Sequence, residues 1–235
     1  MRRWGWLGLL WVLGLWLPGC RRAEPTPALT AAEIIARAAA TMAGTRSVHF
    51  VLERTGAPDY LDAARLMMLR RVEGDLVYPD RLRGIVRVFS LGVVTEIRIV
   101  RVGDRTWIAL AGVERWEELT PERGVVIDPR LFFDPERGVP ALMARVPLQL
   151  VGREAVDGAP VYHLQGELAS GPLEEWSVGL ISGRLRADLW VDVRTFRIHR
   201  VRLMELESDP QDPTVWTLTL RDFDQPIEIR PPSGS

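Results

Sequence analysis

Alternation of apolar and polar side chains runs through the chain from residue 47 onward and constrains its fold more than any other feature. Val48, Phe50 and Leu52 mark one face of the first such segment, and the same period of two recurs in segment after segment. This period is typical of half-buried β-strands. Short turns such as Asp157-Gly158 separate the segments, whereas parallel strands would need long crossovers. The sequence therefore predicts an antiparallel sheet.

Few helices accompany these strands. Thr30 and Glu33 have the spacing of a capping box, which predicts a helix from about Ala31 to Ala43. Asp134-Pro135 is typical of a helix start and predicts a second, short helix. A last short strand is predicted at Ile227 and Ile229. About ten strands with two or three helical pieces make the predicted fold class α+β.

Composition is that of an ordinary globular protein. The chain has 235 residues, of which 26% are charged, and a formal net charge of −1. This length is sufficient for one sizeable core. The balance leaves no basic excess to neutralise phosphates, so nucleic acid is not an expected partner.

The first nineteen residues predict an export signal. Arg2 and Arg3 precede an almost wholly apolar run from Trp4 to Leu17, which is the order of features in a signal peptide. The run is shorter than the roughly 20 apolar residues of a spanning helix. An uncleaved membrane anchor is the alternative interpretation.

Cys20 follows this run and is the only cysteine, so it has no partner for an internal disulfide. Leu17, Gly19 and Cys20 resemble a bacterial lipobox, in which the cysteine becomes the first mature residue and carries lipid; Pro18 departs from the usual small or aliphatic residue. The resemblance implies lipid attachment at Cys20 and an extracytoplasmic protein anchored to the cell membrane. Two or more acyl chains would make the anchor stable.

Four segments follow from these boundaries. We expect residues 1–19 to be a lipoprotein signal peptide and residues 20–29, which contain two prolines, to be a tether. Residues 30–232 form a single α+β domain in this interpretation, and residues 233–235 are a tail. We expect a monomer.

Catalytic and metal-binding motifs are missing from the sequence. It contains no Gly-x-Ser-x-Gly turn, phosphate loop or His-Glu-x-x-His helix. Asp188 and Asp192 share a strand face, but Arg184 and Arg186 lie on that face too, which predicts a salt-bridge ladder. We therefore expect no catalytic residue, no metal site, no cofactor and no enzymatic activity.

A large antiparallel sheet usually has one dry face, and so few helices cannot cover ten strands. Either the sheet curls on itself or it leaves an apolar hollow suited to acyl chains. A filled core is equally compatible with the alternation. Periodicity shows which side chains face inward, and it leaves open whether the inside is full.

Short motifs in a fixed order carry a resemblance to a known family and together span nearly the whole chain. In chain order they are Leu17–Cys20, Ser47–Phe50, Val156–Gly158, Val161–Leu164, Leu189–Asp192, Thr217–Phe223 and Ile229–Pro232. The set resembles the LppX/LprAFG family of envelope lipoproteins and, more distantly, the LolA/LolB-like fold.

The resemblance implies a strongly curved antiparallel sheet, a half-barrel of about ten strands, with helices packed over its concave face. It also implies an internal cavity that binds lipid or another acylated ligand, which the protein carries or presents in the cell envelope. The membrane is then a partner through Cys20, and an envelope transporter is a further candidate. From alternation and helix position we expect the cavity residues to be Ile97, Ile99, Leu142, Met143, Leu189, Val191, Leu218 and Leu220.

Two other functions fit the same residues. A lipid-anchored sensor that binds a regulatory protein would have a filled core and an exposed apolar patch or groove. A hydrolase is less favoured, because the nucleophile motifs are absent, although one fold can host many chemistries.

Overall fold

The computed structural model describes residues 29–56, 60, 66–120, 128–177 and 179–233. The predicted signal peptide and Cys20 lie outside these residues. The helices are α1 (Ala31–Gly44), α2 (Arg130–Phe133), α3 (Val139–Arg145) and α4 (Pro172–Trp176). The strands are β1 (Ser47–Thr55), β2 (Met67–Val77), β3 (Arg81–Ser90), β4 (Val93–Val102), β5 (Arg105–Leu110), β6 (Glu117–Glu118), β7 (Gln149–Val156), β8 (Ala159–Ala169), β9 (Arg184–Asp192), β10 (Ile198–Glu205) and β11 (Val215–Arg221).

All eleven strands of the described chain belong to one sheet, in the order β6-β5-β4-β3-β2-β1-β11-β10-β9-β8-β7. Every neighbouring pair is antiparallel. The first and last strands of the chain therefore meet at the centre of the sheet, and a meander extends from each. The predicted α+β half-barrel is confirmed, with the two-residue strand β6 added to the ten expected.

Helix α1 forms as its capping box predicts. The Thr30 hydroxyl accepts a hydrogen bond from the Glu33 amide at 3.3 Å, and the Glu33 carboxylate accepts one from the Thr30 amide at 2.8 Å. These bonds satisfy amides that the first turn of a helix leaves without partners. The apolar stripe of α1 is fully buried against the sheet and comprises Ile34, Ile35, Ala38 and Met42.

The second helical region differs from the prediction. Asp134 does not begin a helix; it is the residue at which α2 ends, and its carboxylate accepts hydrogen bonds from the amides of Glu136 and Arg137. Helix α3 begins after Gly138, with Pro140 in its first turn. Amides in the first turn of a helix have no partner within the helix, so a proline, which lacks this donor, fits there.

The predicted last strand at Ile227 and Ile229 is wrong. This segment has no strand pairing, and Ile229 is instead buried against Val100 and Trp107 on the sheet face opposite α1. The Ile229 carbonyl accepts a hydrogen bond from Arg81 at 2.8 Å. Ile227 and Ile229 both pack against this cluster. Their spacing of two residues is therefore that of a strand, although the segment is irregular.

Two glycines face each other where β2 meets β3. Gly74 lies directly opposite Gly84, and a β-carbon at Gly74 would be 2.1 Å from the Arg83 carbonyl oxygen. Only glycine fits such a close approach of backbones, which is typical of a sharp bend in a curved sheet. This pair therefore helps the sheet to curve around its concave face, the face covered by α1.

We predict that Gly74→Ala lowers the free energy of unfolding by about 1–3 kcal/mol, because the added methyl group overpacks the strand contact. Gly152→Ala is the matched control, since Gly152 also lies in a strand but has no atom within 4 Å of its added carbon. Its stability should stay unchanged or rise slightly. Urea unfolding of both variants measures this, and equal effects would contradict the close approach.

Candidate functional site

Ten apolar side chains form one continuous row across the concave face. Each comes from a different strand and lies directly opposite its neighbours in the register of the sheet. From β5 to β7 they are Leu110, Ile97, Val86, Val72, Leu52, Leu218, Val201, Leu189, Leu164 and Leu150. No polar side chain interrupts this apolar row, so the row spans almost the whole width of the concave face.

Burial along the apolar row is uneven. Leu164 and Leu189 are 0% and 4% exposed, because they belong to the core beneath the helices. The six consecutive residues from Ile97 to Val201 are only half-buried. Apolar side chains that face the inside of a curved sheet and yet remain accessible have open space beside them. The side chains of the described residues therefore leave the central part of the row partly uncovered, and we call the space beside it the hollow.

The helices fill the other part of the concave face. Val48, Phe50, Leu76 and Leu82 are buried in one cluster with the apolar stripe of α1. Phe133 of α2 joins the same cluster and packs edge-on against Tyr78, with 5.8 Å between the ring centroids. The hollow thus lies next to a well-packed core.

The structure divides the predicted cavity residues into two groups. The half-buried group comprises Ile97, Ile99, Leu142 and Leu218. The group packed in the core comprises Met143, Leu189, Val191 and Leu220. The six predicted strand residues share the concave face, and Leu142 and Met143 lie on α3. Contact of either group with a ligand stays a prediction.

Sequence reasoning missed four central members of the apolar row, which are Leu52, Val72, Val86 and Val201. Alternation within each strand indicates the face on which these residues lie. It does not indicate which residues of different strands become neighbours, because register depends on turns and bulges. A bulge between Leu69 and Arg71 shifts the register of β2 and β3 in this way.

A second, polar cleft of about 870 Å³ lies between α2, α3 and α4. Its lining includes Arg130, Arg137 and Trp176. Burial alone would raise the pKa of Asp128 at its edge, but hydrogen bonds from Arg130 outweigh burial and hold this pKa below its usual range. Asp128 is therefore ionised at neutral pH and paired with Arg130 at 2.6 Å. This pairing makes the cleft a charged surface feature.

The convex face carries networks of ion pairs and hydrogen bonds. His49 Nδ1 lies 2.8 Å from the Asp75 carboxylate, which also accepts a hydrogen bond from Arg83 at 2.6 Å. Burial raises the pKa of Asp75, and the hydrogen bonds from Arg83 and His49 lower it further than burial raises it. The net effect keeps this carboxylate charged.

The predicted salt-bridge ladder along β9 is wrong in its partners. Asp188 lies 2.9 Å from His163 Nε2 and accepts a hydrogen bond from Gln165 at 2.8 Å, both on the adjacent strand β8. Arg184 pairs with Glu207, and Arg186 with Glu167. Side chains opposite each other on adjacent strands lie closer than those two residues apart along one strand, so the cross-strand contacts form instead.

Two features are absent from the described ranges. Within residues 29–56, 60, 66–120, 128–177 and 179–233, no three His, Cys, Asp or Glu side chains are grouped so that they could hold a metal ion. In the same ranges, no helix has the length and apolar character needed to cross a membrane.

An open, curved antiparallel sheet with helices across part of an apolar concave face makes this protein an α+β half-barrel. The fold is similar to that of LprF from Mycobacterium bovis, with a TM-score of 0.67 at 19% identity over 86% of this chain and 97% of that one. It is also similar to LppX from Mycobacterium tuberculosis, with a TM-score of 0.59 at 18% identity over 85% of this chain and 97% of that one.

Sequence relationships assign the family. The chain is 23% identical over 225 residues to the lipoarabinomannan carrier protein LprG of Mycolicibacterium hassiacum, covering 93% of this chain and 92% of that protein. Residues 30–229 match the family described as LppX_LprAFG lipoprotein, and the chain belongs to that family. The resemblance noted from the sequence motifs is thereby confirmed.

We predict that the hollow tolerates a larger side chain where the core does not. Val86→Phe places its added atoms in the hollow and should change the free energy of unfolding by less than about 0.5 kcal/mol. Val48→Phe makes the same change at a fully buried position, and overpacking should cost about 1–3 kcal/mol there. Chemical unfolding of the pair measures the difference, and an equal loss in both variants would show that the space beside Val86 is filled.

Proposed function

We propose that this protein is a membrane-anchored envelope lipoprotein that binds a lipid, or another acylated hydrophobic ligand, in the hollow of its concave face and carries or presents it. The observation that carries the proposal is the half-buried centre of the apolar row. Six consecutive strands contribute an aliphatic side chain to it, from Ile97 to Val201.

The size and chemistry of this surface suit acyl chains. At about 4.8 Å between strands, six side chains span roughly 24 Å along the sheet. Each methylene group removed from water against such a surface contributes about 0.8 kcal/mol. A long acyl chain in the hollow would therefore bind tightly without a specific polar contact, whereas a small polar molecule would gain little there.

One relative supports a carrier role. LprG is named as a carrier of lipoarabinomannan, and this chain matches it over most of both lengths. We assign to the present chain the broader ligand class of acylated, hydrophobic molecules. The family and the apolar row give no reason to assign an enzymatic step, so binding and release are the whole proposed activity.

Particular residues have different roles in this proposal. Ile97, Ile99 and Leu218 would contact ligand, together with their half-buried neighbours Val86 and Val72. The packed group Met143, Leu189, Val191 and Leu220 would support these contacts from the core. Leu142 would contact the ligand from the helix layer, since it is half-buried on α3.

The proposed anchor is acylated Cys20. In this account residues 1–19 are removed on export, residues 20–29 tether the domain of residues 30–232 to the outer surface of the cell membrane, and residues 233–235 form a tail. The monomer would then work beside the membrane, with an envelope transporter as a further candidate partner. Two or more acyl chains carried by the modified Cys20 would give stable attachment.

We predict that Leu218→Trp weakens binding of a fluorescent long-chain fatty acid by about tenfold, because the indole occupies part of the hollow. Thr219→Trp is the matched control, since Thr219 is the next residue of β11 and points to the convex face. Fluorescence titration of both variants in vesicle-free solution measures the dissociation constants. Equal affinity of the two variants, or no binding by the unsubstituted protein, would contradict the proposed site.

We predict that Cys20→Ser abolishes membrane attachment through lipid, because serine cannot form the thioether. Mass spectrometry of the mature N-terminus should show an acylated Cys20 in the unsubstituted protein and an unprocessed or soluble chain in the variant. A Cys20 with a free thiol in protein from its native membrane would contradict the anchor while leaving the hollow untouched.

A further inference from the structure

Several aliphatic side chains are exposed to solvent at one end of the sheet. Leu91 occupies the turn between β3 and β4 and is 80% exposed, while Val93 and Val94 are 62% and 59% exposed. Leu110 at the end of β5 and nearby Val113 are also exposed. We call these five residues the apolar tip.

The apolar tip is continuous with the hollow. Leu110 lies directly opposite Ile97 and is itself the end of the apolar row. Val93 is on the same strand as Ile97 and, four residues away, on the same concave face. Val93, Thr95 and Ile97 therefore form a largely apolar path along β4 from the exposed turn to the half-buried part of the row.

The tip itself carries no charge, and exposed Glu114 and Arg115 follow Val113 in the chain. Residues 88–95 include no charged side chain, and residues 110–113 include none either. The adjacent part of β2 contributes Arg70, which is exposed and has its guanidinium 6.0 Å from the centre of the Phe89 ring. A surface that is apolar with a basic neighbour is typical of protein segments that enter the head-group region of a membrane.

We infer that the apolar tip docks on a lipid bilayer, with Leu91, Val93 and Val94 inserted below the head groups, so that the open side of the hollow faces the membrane. This inference rests on the proposed function, because docking would supply the route by which the ligand enters the hollow. An acyl chain leaving the bilayer would pass along β4 to Ile97 without crossing bulk water.

A bilayer fits this surface better than a protein partner does. Stable protein interfaces bury about 800 Å² on each partner and are enriched in aromatic residues and arginine. The tip consists of aliphatic side chains only, and these side chains offer no pattern of polar groups for recognition. A bilayer accepts such side chains without a complementary surface. Because apolar insertion dominates, docking should depend only weakly on salt concentration.

The first experiment measures contact with lipid in the full chain, reconstituted in vesicles of phosphatidylethanolamine and phosphatidylglycerol. A nitrobenzoxadiazole label is attached at Val93→Cys or, as the control, at Asp104→Cys in the turn at the opposite end of β4. The unsubstituted chain, treated in the same way, gives the blank for Cys20. We expect lipid-borne doxyl groups to quench the label at residue 93 at least about threefold more strongly than the label at residue 104. Equal quenching overturns the inference.

The second experiment measures uptake of a fluorescent diacyl phospholipid from the same vesicles. Leu91→Asp should fold, since aspartate adopts the positive φ of 49° at this position more readily than leucine does. We expect its uptake rate to fall about tenfold, because a charge at the tip opposes insertion, and Leu91→Met to keep the original rate. An unchanged rate in Leu91→Asp overturns the inference.

Binding of the soluble fatty acid, measured without vesicles, separates this inference from the proposed function. If Leu91→Asp takes up vesicle lipid slowly but binds the soluble fatty acid normally, docking by the tip is supported. If the tip contacts lipid but the unsubstituted protein binds no fatty acid, the proposed function fails and docking stands. The label at residue 93 could also be as shielded from water without vesicles as with them. If sedimentation then shows a dimer, a second copy covers the tip and the inference is overturned.

Discussion

The structure depends on a mismatch between the apolar face of its sheet and the helices available to cover it. Eleven strands at about 4.8 Å spacing extend roughly 48 Å across, whereas α1, with fourteen residues, is only about 21 Å long. Helices α2 and α3 have four and seven residues and add little further cover. The described helices therefore leave part of an apolar face without cover, and this is the surface on which the proposed ligand would lie.

The same strands give the two faces of the sheet different chemistry. On the concave face, the register aligns one aliphatic side chain from each of ten strands. On the convex face, pairs such as Asp75 with Arg83 and Asp188 with His163 keep charged groups partnered. Because side chains alternate between faces, one strand can contribute aliphatic side chains to the concave face and charged side chains to the convex face. This arrangement places the aliphatic side chains of ten strands on one face of the sheet.

Local features of the sequence were sufficient to predict most elements of the fold. The capping box at Thr30 and Glu33 and the turn at Asp157-Gly158 depend on neighbouring residues, and both form as expected. Errors arose where a pattern had two physical causes. Ile227 and Ile229 have the spacing of a strand because both pack on the cluster around Trp107. Asp134 has a side chain typical of a helix start, but its carboxylate accepts a hydrogen bond in the turn between α2 and α3.

The candidate site was less predictable than the fold. Alternation placed Ile97 and Leu218 on the inner face, but Val86 and Leu52 become part of the same row only through register across strands. Nor does alternation separate a packed residue such as Leu189 from a half-buried one such as Leu218. That difference depends on where α1 lies, which is a property of the assembled protein.

The most direct test of the account is native mass spectrometry of the protein purified from its own membrane, before and after extraction with organic solvent. The account predicts a population heavier than the acylated polypeptide by the mass of one or more lipids, and loss of that extra mass on extraction. A single species with the mass of the acylated polypeptide alone, unchanged by incubation with membrane lipid, would contradict it.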